Sequence, residues 1–238
     1  MNITIKSISD QGKVRSNNQD STLINLTIPK TNNHITGFSG IADGMGGLEM
    51  GEVASKESLR FVETEISKLT PWDRSNDITP LDYYTKYFLE INEGVHDHIR
   101  KMCMENNVQM GTTLTYGIFQ DDKFYYSHIG DTRIYTIKKP GFFKNKLRMN
   151  QITQDDNPEG RSSILTKFIG GEDTYDPQIG EVSLSEISYL FFSTDGLHDL
   201  VPNEDIISSF HSEAGLTNIN EELVKKANEN GGRDNISL

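Results

Sequence analysis

Apolar residues recur along the chain with two different periods. Steps of three and four residues predict one helix from about Glu49 to Pro71 and a second one starting at about Pro80. Shorter helices are predicted near residues 203–211 and 219–229. Alternating or continuous apolar runs predict strands at residues 2–8, 22–28, 36–42, 112–119, 123–129, 132–138, 146–152, 178–184 and 188–193. This order of elements indicates an α+β protein whose helices pack on largely antiparallel sheets.

Polar residues mark the ends of the late helices. Asn203 is predicted to cap the first of them. Glu221 and Glu222 are predicted to lie in the first turn of the second, with Lys225 and Lys226 further along, as the helix dipole favours.

Charge and composition narrow the possible functions. Among the 238 residues, 35 are Asp or Glu and 23 are Lys or Arg, so the net charge is −12. This charge argues against a nucleic-acid partner and suits a protein that gathers divalent cations. A single cysteine, Cys103, excludes an internal disulfide framework and a zinc site built from several thiolates. With no apolar run near the roughly 18 residues of a membrane span and no signal-peptide pattern at the start, a cytoplasmic protein without a membrane partner is expected.

Five carboxylates lie at the predicted ends of strands. They are Asp20, Asp43, Asp131, Asp195 and Asp234. One Asp-Gly pair is usually an ordinary turn, but five carboxylates converging at a sheet edge would repel one another unless a cation lay between them. Oxygen ligands without clustered His or Cys favour Mg²⁺ or Mn²⁺ over zinc.

Two neighbouring features have open interpretations. Arg15 is either a salt-bridge partner of these acids or a ligand for two oxygens of a phosphate. The glycine-rich run 43–47 lacks the spacing of a P-loop or a dinucleotide fold. Its glycines instead allow a tight turn that points a carbonyl at a cation.

The chain resembles the metal-dependent serine/threonine protein phosphatases of type 2C in their compact bacterial form. The motifs that carry the resemblance are Ser9–Gly12 with Arg15–Asp20, Ile41–Gly47 with Gly51–Ser55, Met110–Leu114, Gly130–Arg133, Ser193–Leu197 and Gly231–Asn235. They occur in the family's order over nearly the whole chain. The resemblance implies one catalytic domain over residues 1–238, with an αββα architecture of two face-to-face antiparallel sheets and a helix pair on each outer side.

The resemblance also implies a role for each acid. Asp43 would bridge two metal ions, and the Gly44 carbonyl would bind one of them. Asp195 and Asp234 would complete the first site, and Asp20 would lie near the second ion.

The remaining members of the implied site are Asp131 and Arg15. Asp131 would help to hold a third, weaker ion, and Arg15 would bind the substrate phosphate. A hydroxide bridging the two Mn²⁺ or Mg²⁺ ions would attack phosphorus directly in phosphoserine or phosphothreonine proteins. These proteins would be substrates of a serine/threonine kinase, and the phosphatase would act as a monomer.

Three positions depart from the family pattern. Gln19 stands where the family often has Glu, and a neutral amide would hold the second ion's waters less strongly. Met45 stands where eukaryotic members have His, so no histidine acid is available there. The flap is nearly absent at about residues 156–162, which predicts an open cleft.

Other classes of function remain as alternatives. A cysteine-dependent phosphatase needs Cys-x5-Arg, but Gln109 follows Cys103 at that spacing. His128 and His198 lie near motifs, although each can equally be a structural residue. The domain can also be an inactive phosphoprotein-binding or sensing module, which loss of metal aspartates would indicate, yet all five are present.

Overall fold

The structure is a computed structural model of the chain. It describes residues 3–27, 36–45, 50–138, 147–158, 164–172, 176–210 and 215–238. The predicted helix start at Glu49, the glycines Gly46 and Gly47, and the flap residues 159–162 lie outside this part of the chain. Within it, no helix is both long and apolar enough to cross a membrane.

Ten strands and five α-helices occur in the described residues. The strands are β1 (Ser9–Asp10), β2 (Asp20–Thr27), β3 (Thr36–Asp43), β4 (Leu114–Gln120), β5 (Lys123–Ile129), β6 (Arg133–Lys138), β7 (Arg148–Gln151), β8 (Gln178–Ser183), β9 (Tyr189–Ser193) and β10 (Ile236–Ser237). The helices are α1 (Gly51–Lys68), α2 (Pro80–Asn106), α3 (Asp195–His198), α4 (Asn203–Ser209) and α5 (Leu216–Glu229).

The strands form two antiparallel sheets and a short ribbon. The larger sheet has the order β2-β3-β4-β5-β8, the smaller one β7-β6-β9, and β1 pairs with β10. Every named strand pair is antiparallel. The predicted α+β class with mainly antiparallel sheets is confirmed.

Three apolar layers show how the sheets and helices stack. Side chains of α1 and α2 pack against one face of the larger sheet, around Tyr84 and Phe88. Phe119, Phe124 and Ile134 form a layer between the two sheets. A third layer lies between the smaller sheet and helices α3 to α5. The helices therefore cover the outer faces of a two-sheet sandwich, as the resemblance implied.

The start of α2 follows from its sequence. The Thr79 hydroxyl accepts a hydrogen bond from the Asp82 amide at 3.1 Å, and Pro80 occupies the first helical position. Both features satisfy or remove donors that a helix start leaves unpaired.

The predicted strand at residues 2–8 is wrong. Residues 3–8 form no strand, and the two-residue strand β1 begins directly after them at Ser9. Ile3 and Ile5 instead pack against the layer between the sheets. The amide of Ile8 donates to the Leu238 carbonyl, and the Leu238 amide donates to Ile8. Apolar contact, rather than a strand ladder, therefore explains the alternation at the start of the chain.

Two details of the late helices also differ from expectation. Pro202, with extended backbone, is the N-cap of α4, and Asn203 is its first helical residue. Helix α5 begins at Leu216, so Glu221 and Glu222 lie in its second turn. The short helix α3 was not predicted, because four residues carry no periodicity.

Candidate active site

The predicted carboxylates come together at one end of the sandwich. Asp20 at the start of β2 is the direct cross-strand neighbour of Asp43 at the end of β3. Asp195 is the first residue of α3, one residue beyond the end of β9, and Asp234 precedes β10. Asp131 follows β5. The charge of Asp43 interacts unfavourably with all four other carboxylates, which shows that they form one electrostatic cluster.

Backbone contacts fix the end of β3. The Asp43 carbonyl accepts hydrogen bonds from the Thr113 amide at 2.9 Å and from the Thr112 hydroxyl at 2.8 Å. The Asp43 amide donates to the Thr113 hydroxyl at 2.9 Å. A Cβ atom at Gly44 would lie 2.2 Å from the Gly51 carbonyl oxygen, so only glycine allows α1 to approach this closely.

Asp20 is buried, with 8% of its surface exposed. Its Oδ2 accepts a hydrogen bond from the Thr194 hydroxyl at 2.9 Å, whereas its Oδ1 has no partner in the structure. Burial raises the pKa of Asp20 to about 6, against the opposing effect of its hydrogen bonds.

Asp195 and Asp131 have similar environments. Burial, followed by repulsion from Asp131 and Asp234, raises the pKa of Asp195 to about 8. Its buried Oδ1 also lacks a partner. Burial raises the pKa of Asp131 to about 6, although Asn157 donates to its Oδ2 at 3.5 Å. Burial and the neighbouring carboxylates raise the pKa of Asp43 as well.

Arg15 contacts one of the carboxylates directly. Its Nη2 donates to Asp234 Oδ2 at 2.6 Å, and this hydrogen bond raises the pKa of the guanidinium. The charges of Asp195 and Asp43 contribute in the same direction. The structure thus shows the salt-bridge interpretation of Arg15.

Three polar residues position the acids but were given no role from sequence. Thr113 and Thr194 hold Asp43 and Asp20 as described above. The Asn235 side chain donates to the carbonyls of Gln11 and Asn17, both at 2.9 Å, and accepts from the Gln19 amide at 2.8 Å. Asn235 therefore joins the loop before β2 to the segment of Asp234. Its position next to Asp234 in the last motif was the available signal.

Both histidines near the motifs are structural in this fold. His128 lies between the Thr115 hydroxyl at 2.8 Å and the Gln154 carbonyl at 3.1 Å. His198 contacts the Ser193 hydroxyl at 2.9 Å. Burial lowers the pKa of both, so each is neutral at pH 7.

Hydrogen bonds join the residues on either side of the predicted flap segment. The Asp156 carbonyl accepts from the Thr166 amide at 2.8 Å and from its hydroxyl at 2.7 Å. Lys167 forms a salt bridge with the Asp156 carboxylate at 3.3 Å. Asp156 and Thr166, which lie on either side of this segment, are therefore direct neighbours in space.

The chemistry of the cluster fits a divalent cation. Two buried carboxylate oxygens without partners, Asp20 Oδ1 and Asp195 Oδ1, are ligands that need a positive charge. Within the described residues, no three His, Cys, Asp or Glu side chains converge closely enough to hold an ion by themselves. Water and the Gly44 carbonyl would have to supply the other ligands.

Comparison with known proteins agrees with this geometry. The family model described as "Protein phosphatase 2C" matches residues 12–235. The chain belongs to the protein phosphatase 2C family. It is 28% identical over 254 residues to the protein phosphatase PhpP of Streptococcus pneumoniae, with 98% of this chain and 95% of PhpP covered.

Solved structures show the same fold. The serine/threonine phosphatase Stp1 from Staphylococcus aureus superposes with a TM-score of 0.82 at 22% identity, over 98% of this chain and 91% of that one. The catalytic domain of the phosphatase PstP, solved with two manganese ions, gives a TM-score of 0.72 at 24% identity, covering 98% and 94%. The family assignment makes this type 2C chain a serine/threonine protein phosphatase.

Proposed function

We propose that this phosphatase hydrolyses phosphoserine and phosphothreonine in proteins with the help of two Mn²⁺ or Mg²⁺ ions. The observation that carries the proposal is the cluster of Asp20, Asp43 and Asp195, with raised pKa values and two buried oxygens that lack partners. Such a cluster is unfavourable in the metal-free protein, and divalent cations would relieve it.

Each residue has a part in this proposal. Asp43 would bridge the ions, the Gly44 carbonyl would bind one of them, and Asp20 would lie near the second. Asp195 and Asp234 would complete the first site. When bound, the ions would lower the pKa of a shared water, so that it can attack phosphorus directly.

The proposal assigns two further groups. Asp131, with Asp195, would hold a third and weaker ion. Arg15 would offer its guanidinium fork to two phosphate oxygens, which neutralises charge that builds on them during transfer. Because Arg15 contacts Asp234 at 2.6 Å, this pair has to open, so that Arg15 can bind the phosphate and Asp234 the ion. The chain would act as a monomeric, cytoplasmic single domain with a nearly absent flap, on substrates of a serine/threonine kinase.

One assay tests metal dependence. Phosphate release from a phosphothreonine peptide is measured with excess chelator and again after Mn²⁺ is restored. We expect no turnover with chelator and full recovery with Mn²⁺. Full activity in excess chelator would contradict the two-ion mechanism.

A further inference from the structure

A sixth carboxylate, Glu52, lies beside Gln19, the residue directly before Asp20. It is the second residue of α1 and is partly buried. Among the described residues, it takes part in no salt bridge. The Gln19 side-chain amide approaches its Oε2 at 3.4 Å. Glu52 is therefore an acid near a proposed metal site, and no cation in the part of the chain that the structure describes forms a salt bridge with it.

The backbone brings Glu52 and Gln19 to Gly44. The Gln19 carbonyl accepts from the Gly44 amide at 3.0 Å and from the Ser55 hydroxyl at 2.6 Å. A Cβ atom on Gly51 would lie 2.6 Å from the Gln19 Nε2 and 3.0 Å from the Gly44 carbonyl carbon. The first turn of α1, Gly44 and the Gln19 side chain thus touch one another.

The chemistry of the pair is asymmetric. Gln19 carries a neutral amide directly before the buried Asp20, whereas Glu52 carries a full negative charge on the neighbouring helix. Water bound to a divalent cation is a strong donor, and a carboxylate accepts from it more strongly than an amide oxygen does. In this pair only Glu52 can supply such charge.

We propose that Glu52 is a positioning residue of the metal centre. Its carboxylate would accept hydrogen bonds from water on an ion held by the Gly44 carbonyl, and the Gln19 amide orients that carboxylate. This inference rests on the proposed metal-dependent function. In this proposal, helix α1 supplies the negative charge next to the ion's water, which the neutral Gln19 side chain cannot supply.

A four-protein cycle tests the proposal through Mn²⁺ binding, measured by titration calorimetry at pH 7.5. The proteins are the wild type, Glu52→Gln, Gln19→Glu and the double variant Gln19→Glu/Glu52→Gln. Loss of an outer-shell partner weakens metal affinity by about 10- to 100-fold, so we expect at least about tenfold weaker binding in Glu52→Gln. The double variant, which moves the charge across the pair, should return to within about threefold of the wild type, and Gln19→Glu should bind more tightly.

A matched control separates this role from general effects of charge. Glu57→Gln removes the same charge from α1, where Glu57 pairs with the exposed Arg60 at 3.1 Å, and should leave Mn²⁺ affinity unchanged. An acid in the first turn also favours the helix dipole, but the double variant does not restore that acid. Recovery in the double variant therefore cannot come from the helix. Circular dichroism of the metal-free proteins checks folding.

The outcomes distinguish this inference from the proposed function. A wild type that binds no Mn²⁺ would overturn the metal mechanism and the inference with it. A wild type that binds Mn²⁺, with Glu52→Gln equally tight, would overturn only the role of Glu52. The role of Glu52 would also be overturned if Glu57→Gln lost as much Mn²⁺ affinity as Glu52→Gln, or if the double variant did not recover its Mn²⁺ affinity.

Discussion

The carboxylates at this end of the molecule fall into two groups. In the outer group, each carboxylate forms a salt bridge with a basic side chain: Asp234 with Arg15, Asp155 with Arg133 and Asp156 with Lys167. Those of the inner group are Asp20, Asp43, Asp131 and Asp195. Within the described residues, none of these four forms a salt bridge.

The two groups differ in electrostatics as well. Burial raises the pKa of all four inner acids. Asp155 instead accepts three hydrogen bonds from the Arg133 guanidinium, at 2.6 to 3.0 Å. A buried carboxylate without a cationic partner is destabilising, so a fold that keeps four of them leaves their charge available to an external cation. Asp155 and Asp156 stabilise loops, whereas the inner acids, together with Asp234 once Arg15 releases it, are the candidates for chemistry.

The largest expected effect comes from changing an inner acid. Asp43→Asn keeps the shape and removes the charge, which should raise the barrier by at least about 3 kcal/mol, more than about 100-fold in kcat. Steady-state rates at saturating Mn²⁺ measure this. Asp155→Asn is the control from the outer group and should change kcat by less than about threefold. If Asp43→Asn kept a tenth of the wild-type kcat, the inner acids would not differ from the outer acids in their importance for catalysis.

Arg15 tests the boundary between the groups. Arg15→Ala removes the proposed phosphate ligand, which should lower kcat/KM by about 30-fold, or about 2 kcal/mol. The same change frees Asp234, so Mn²⁺ should bind more tightly. Arg15→Lys keeps the positive charge but loses the planar fork that binds two oxygens. Its kcat/KM should therefore lie between those of the wild type and Arg15→Ala. A parallel loss of catalysis and of metal affinity would place Arg15 in a purely structural role.

The raised pKa values predict how stability depends on pH. A raised carboxyl pKa means that the folded state binds more protons than the unfolded state, so stability is lost as pH rises from about 4 to the folded pKa, about 8 for Asp195. The buried histidines have lowered pKa values and act in the opposite direction below about pH 6.5.

Between pH 6.5 and 8, the metal-free protein should therefore lose about 1–2 kcal/mol, roughly 3–6 °C in Tm. Thermal unfolding in chelator measures this loss. Saturating Mn²⁺ should reduce the slope, and so should Asp195→Asn without metal. A metal-free Tm that rises across this window would show that the inner acids do not retain protons.

The smallest expected effect concerns the segment after Asp156. Asp156 and Thr166 are hydrogen-bonded to each other, and the segment between them in the sequence is short, so we expect it to have little reach over a peptide. Changes two or three residues from the phosphothreonine should alter kcat/KM by about 1 kcal/mol or less, about fivefold. A peptide panel measures this, and a hundredfold spread would show that another loop grips the substrate.

Local sequence was enough to predict most elements and the acids themselves. Each of the two long helices has an apolar stripe, and each acid stands at a strand end or next to a glycine, so the α+β class and the five carboxylates could be predicted. The start of the chain was misjudged, because alternation records which side chains are buried and not which strand pairs with them. Ile3 and Ile5 are partly buried against the layer between the sheets, and none of the described strands pairs with them.

Only the tertiary structure decided how the acids differ from one another. Nothing near Asp234 in sequence indicates that Arg15, 219 residues away, neutralises it, or that Thr194 donates to Asp20. The contact of Gln19 with Glu52 likewise joins a strand start to a helix start. Periodicity and spacing are properties of a short segment, whereas a carboxylate's charge state depends on burial and on partners from distant segments. The sequence alone therefore determined which acids are present, and the fold decided which of them are buried without a basic partner.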